Sequence, residues 1–188
     1  MLTGRAHPLP VVVLAFSIAL GMGGCVAPTP DPTPSTSAAP SASPLFDSDE
    51  EALAAATEAY AAYQTALDRG FATWESDNLQ EVAVNPALQT ALDDVAEYRE
   101  QGRRQIGSVL AEKISLFGPD IRAGDELTQV YACLNVSQVD VVDSAGQSTV
   151  VPGRPERYPV VATFQWFADE GLFKVSDEEV WEGDNFCE

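Results

Sequence analysis

The chain has 188 residues, 45% of them apolar, and a formal charge of −19 at pH 7. That length suits one domain of ordinary size or two very small ones, and the apolar fraction suffices for a buried core. Such negative charge repels phosphate backbones and anionic lipid surfaces, which argues against nucleic acid as a partner and against charge-driven membrane docking.

The first 25 residues have three parts. "MLTGRAHP" carries one positive charge at Arg5, "LPVVVLAFSIALGMGG" is apolar and uncharged, and the small residues Gly23 and Gly24 precede Cys25. That order matches a secretory signal peptide, and an apolar run of about 16 residues is shorter than the roughly 20 that span a bilayer. "MGGC" resembles a bacterial lipobox, in which the cysteine is lipidated and becomes the new N-terminus. Met22 stands where leucine is usual and Gly23 where alanine, serine or threonine is commoner, so a cleaved and secreted form is the alternative. Residues 25–45, including "VAPTPDPTPSTSAAPSASP", hold little apolar bulk and read as an extended linker. At about 3.1 Å per residue it would hold a domain up to roughly 60 Å from its anchor. Loss of residues 1–24 removes Arg5 and takes the charge from −19 to −20. It also removes His7, the single histidine, and with it any Ser-His-Asp or Cys-His nucleophile pair. With Cys25 assigned to lipid, Cys133 and Cys187 remain as an even pair and read as a disulfide, the alternative being two separate thiols.

Residues 46–188 read as the globular domain. "SDEEALAAATEAYAAYQTALDRGFATW" is a helix opened by a Ser48/Glu51 capping box. Leu53, Ala56, Tyr60, Tyr63, Leu67, Phe71 and Trp74 form its apolar stripe, and Gly70 marks a break. A short helical turn follows in "SDNLQEVAV". The next helix has Asn85 as cap, Pro86 at its first position, a Leu88, Leu92 and Val95 stripe, and Gly102 as stop. Arg99, Arg103 and Arg104 gather at its end.

The period then changes to two. "RQIGSVLAEKISLF" and "ELTQVYACLNVSQVDVV" read as strands, the second with Val130, Ala132, Leu134 and Val136 on one face. "RYPVVATFQWF" places Val160, Ala162, Phe164 and Trp166 on one side, and Pro159 implies an edge at its start. "ADEG" turns at Gly171 into the return strand "LFKVSDEEVW". Helices first and about four strands after them give an α+β fold, with the helices packed on one face of an antiparallel sheet.

A tyrosine-bearing first helix, a short helix, a third helix ending "EQGRRQIG", then "YACLNVS", "RYPVVATF", a hairpin and a late cysteine resemble the nuclear transport factor 2-like superfamily. The resemblance covers residues 48–187. Many exported actinobacterial members have a Cys-x-Asp-x-Ser stretch, and Asn135 stands at its Asp position. The resemblance implies a cone, a curved sheet wrapped around helices with an open mouth. It also implies two functions: many such lipoproteins carry no known activity, whereas ketosteroid isomerases and polyketide cyclases use the cone as an active site with an Asp or His base and often a Tyr.

Tyr60, Tyr63 and Trp74 are candidates to line a pocket opposite Phe164 and Trp166, although an aromatic stripe at helical spacing is usually core. The inward strand faces show no carboxylate from Val130 to Val136 or from Tyr158 to Trp166, which leaves Asp177 and Glu179 as candidate bases. Asp93, Glu97 and Glu100 share a helix face beside Asp94, without the spacing of a calcium loop. "NVS" at 135–137 matches a glycosylation sequon but lies on an expected strand. The expectation is therefore a non-catalytic lipoprotein, free of cofactor and metal, that binds a small apolar ligand or an envelope protein on the outer face of the membrane. The alternative is an isomerase or cyclase. A carboxylate inside an open cone favours the enzyme; a cone filled by Tyr60, Phe164 and Trp166 disfavours it.

Overall fold

A computed structural model describes residues 45–117 and 127–188; the leader, Cys25 and the linker to residue 44 lie outside the described residues. Helix α1 (Asp49–Thr73) starts at Ser48, whose Oγ accepts the Glu51 N–H at 3.1 Å. Glu51 reaches back to the Asp47 N–H at 3.0 Å, one residue beyond the usual capping box. The helix runs unbroken through Gly70. A Cβ on Gly70 would lie 2.8 Å from Val95 Cγ2, so this glycine serves the close approach of another helix rather than a break. α1 ends at Trp74, a left-handed cap with φ 65°.

The short helix α2 (Leu79–Val82) leads to α3 (Ala87–Glu100). Pro86 rather than Asn85 occupies the cap position of α3, and its buried face is Ala87, Ala91 and Val95, with Leu88 and Leu92 at its flanks. Gly102, at φ +65°, follows its end as expected.

Strand β1 (Arg104–Ile106) and strand β2 (Leu110–Leu116) divide the stretch read as one strand. The turn between them needs Gly107: its φ is +82°, and a Cβ there would lie 1.9 Å from the Gln138 carbonyl oxygen. The next stretch divides likewise into β3 (Leu127–Asn135) and β4 (Asp140–Val142), followed by β5 (Arg157–Phe167) and β6 (Leu172–Val180). The main sheet is antiparallel in the order β2-β3-β5-β6, and β1 and β4 form a separate ribbon. β5 is thus a central strand, not an edge. Pro159 is tolerated because pairing with β6 ends at Val160 and Val180, and its carbonyl accepts from the Trp181 N–H at 2.9 Å.

The fold is α+β, with helices on one face of an antiparallel sheet, as expected. α1 packs on both edge strands, β2 and β6, as well as on β3, so the sheet curls around it. Val130, Ala132, Leu134, Val160, Ala162 and Phe164 form the inward face, with Tyr60 fully buried against them. At one end Phe46 packs edge-on against Trp166 at 5.4 Å and tilted against Phe173 at 5.5 Å, closing the core there.

On the outer sheet face the tail after β6 folds back. Cys187 forms a disulfide with Cys133, with 5.4 Å between Cα atoms. Tyr131 packs on Trp181 and Phe186, and Lys113 Nζ donates to the main-chain oxygens of Phe186 at 3.1 Å and Glu188 at 2.7 Å.

Candidate functional site

The end of the core opposite Phe46 is open. A cavity of about 290 Å³ lies between α1, α3 and the strand ends. α1 supplies Tyr63, Gln64 and Phe71, α3 supplies Asp94 and Tyr98, β5 supplies Tyr158 and β6 supplies Asp177 and Glu178. Arg154, from the segment before β5, completes the wall. The volume is at the small end of the range for ligand sites.

Glu178 is at this wall because of a bulge. Ala162 pairs with Glu178 and Thr163 with Asp177, yet Phe164 pairs with Val175, so Ser176 is an extra residue in β6. Phe173 and Val175 point inward before the bulge. Strict alternation would continue with Asp177 and Glu179; the extra residue turns Glu178 inward instead, on the side of Ala162. Sequence reading named the two neighbours, of which Asp177 also lines the cavity, and missed Glu178 between them.

Glu178 is well held. Its Oε2 accepts the Tyr60 hydroxyl at 2.6 Å and the Gln64 amide at 3.2 Å, while its own N–H donates to Asp177 Oδ1 at 3.0 Å. Asp68 is occupied elsewhere, accepting from the side chain of Gln105 and the Val109 N–H, and thereby ties α1 to the β1–β2 turn. Arg154 donates through Nη2 to the carbonyl of Val136 at 3.0 Å and to that of Val139. Burial raises the Glu178 carboxyl above the usual range; the Tyr60 hydrogen bond opposes this and the Asp177 charge adds to it. Burial also raises Tyr63, helped by the charges of Glu178, Asp94 and Asp177, and raises Tyr60, helped by Glu178. Asp94 is raised by burial and by Glu97 and Asp93.

The sign of the Glu178 effect gives a test. A carboxyl raised in the folded state favours folding below its unfolded pKa, near 4.5, and that contribution is lost as pH rises through the folded value. Glu178→Gln removes the loss while keeping an acceptor for Tyr60. Its melting temperature relative to wild type should therefore rise between pH 4 and pH 7. An unchanged difference across that range would show that Glu178 ionises freely.

Of the aromatic residues expected to line a pocket, Tyr63 does so. Tyr60 and Phe164 are completely buried in the core beside the cavity, with their ring centroids 6.0 Å apart. Trp166 lies at the closed end against Phe46 and Phe173. Trp74 is turned away by its left-handed cap; its Nε1–H donates to the Arg103 carbonyl at 2.8 Å and the Arg104 guanidinium stacks 3.7 Å above its ring. The acidic face of α3 is divided: Asp93 accepts from Gln89, Glu97 from Gln101 and Arg103, and only Asp94 reaches the cavity. Among the described residues no group of three or more His, Cys, Asp and Glu is placed to hold a metal ion. Asn135 of the sequon is buried, its amide donating to Glu112 at 2.8 Å.

No family model and no curated relative matches the chain. Solved structures that are similar include the intermembrane space region of chloroplast protein ARC6, with 15% identity, a TM-score of 0.49, and coverage of 68% of this chain and 95% of that one. A structure from Catenulispora acidiphila has 16% identity and a TM-score of 0.42, over 68% and 88% of the two chains. Aln2 from a Streptomyces species has 14% identity and a TM-score of 0.41, over 69% and 89%. At such values none of them assigns this chain a ligand or an activity.

Proposed function

We propose that this chain is a small-molecule binding module of the cell envelope, a nuclear transport factor 2-like domain held at the membrane by a lipid on Cys25. The cavity carries the binding reading. One end of the core is closed by Phe46, Trp166 and Phe173, whereas the other leaves about 290 Å³ among side chains already ordered by hydrogen bonds. The succession of apolar leader, "MGGC" and proline tract supports the anchor. Titration of the ¹⁵N-labelled domain with a library of small fragments should shift the amides of Gln64, Asp94, Gln105 and Tyr158 together. Shifts gathered instead around Trp181 and Phe186 would move binding to the outer sheet face and overturn the reading. Mass spectrometry of the membrane-extracted protein should find the lipid on Cys25; a lipid-free mature chain in the medium would overturn the anchor.

Glu178 favours a second reading, acid–base catalysis. A carboxyl in the cavity, raised by burial and bonded to a tyrosine hydroxyl, is equipped to move a proton on a bound molecule. Under that reading Glu178→Gln binds the ligand but no longer turns it over. Under the leading reading there is no turnover to lose.

A further inference from the structure

We propose that the ligand of this cavity is an organic cation, a protonated or quaternary amine of small size. The proposal rests on the binding reading above and deepens it. The cavity walls combine aromatic rings with carboxylates that lack cationic partners. Tyr63 and Tyr158 border the space from two different elements, Tyr98 adds a ring that already carries the Arg103 guanidinium at 4.6 Å, and Asp94, Asp177 and Glu178 stand among them.

None of those three carboxylates has an ion pair among the described residues. Asp94 accepts no hydrogen bond there, and the side-chain hydrogen bonds of Glu178 are made through Oε2 alone. The one basic residue on the wall, Arg154, is committed to two backbone carbonyls. Against the single guanidinium of Arg154, the three carboxylates leave the wall with an excess of acidic groups.

A positive guest relieves this crowding. The carboxylates are not gathered as metal ligands. A cation with its charge spread over a larger body meets them better than a metal ion does, and tyrosine rings attract such a body through their faces. The net charge of −19 draws cations toward the domain from a distance. This revises the apolar ligand expected from the strand faces alone, because the bulge that brings Glu178 inward changes the character of the cavity.

Three molecules of similar shape separate charge from size: choline, its neutral counterpart 3,3-dimethylbutan-1-ol, and the anion 3,3-dimethylbutanoate. Each is titrated into the wild-type protein, with dissociation constants read from the amide shifts of Tyr63, Asp94 and Tyr158. Choline should bind about tenfold or more tightly than the alcohol, and the anion least. Asp94→Asn should weaken choline severalfold and leave the alcohol unchanged. Equal or tighter binding of the alcohol or the anion at the same amides would overturn the cation class while leaving the cavity as a binding site. No shift at these amides with any of the three would overturn both.

Discussion

Replacing Cys133 and Cys187 together with alanine should lower the unfolding free energy by about 4 kcal/mol, read from urea denaturation. The two cysteines are 54 residues apart in sequence, so the bond removes a large amount of freedom from the unfolded chain. Other contacts hold the same tail in the folded state. Tyr131 packs on Trp181 and Phe186, and Lys113 holds the last main-chain oxygens of the chain from a position in the β2 bulge where its own φ is +50°. The double variant should therefore fold to the same sheet, with a tail that frays before the core melts. A loss below about 1 kcal/mol would mean that the unfolded chain already keeps the tail near β3.

Tyr60→Ala should cost about 3–5 kcal/mol, the range for removing a large buried aromatic residue. Tyr60 is 0% exposed and packs against Phe164 and Tyr63. Its hydroxyl also donates to Glu178, so the two functions of the side chain can be separated. Tyr60→Phe keeps the packing and removes the donor, and should cost about 1.5–3 kcal/mol, the usual range for a bond to a charged group. That variant should also push the Glu178 carboxyl further upward, because the Tyr60 bond favours its charged form. Carbon NMR of the labelled glutamate would read this directly. A carboxyl that titrates as in wild type would remove Tyr60 from the support of the site.

Much of the architecture was legible before the structure. The helix stripe around Tyr60, the Ser48 cap, the inward faces of β3 and β5 and the late disulfide follow from periodicity, cap chemistry and cysteine parity. Gly70 was read as a break and Gly107 was passed over inside one strand, for opposite reasons. Gly107 divides two strands because the Gln138 backbone lies against it, and Gly70 divides nothing because it faces Val95. Both facts depend on partners distant in sequence. The site failed to appear for a similar reason. Alternation counts residues along one strand, whereas a bulge is set by the pairing of two, so the extra residue Ser176 brings Glu178 to the side of Ala162. Helical spacing likewise put Tyr60 and Tyr63 on one face without revealing that the first fills the core and the second borders the cavity.

The aromatic contact of Phe46 with Trp166 and Phe173 gives the domain a handle. Any pull arriving through the preceding chain enters at this plug, and it meets interlocked rings before it reaches the first turn of α1. From Trp166 back to Tyr158, β5 extends about 26 Å at the usual rise per residue. The handle and the cavity thus sit at opposite ends of one strand. A force applied at Phe46 therefore loads the end of β5 remote from the cavity.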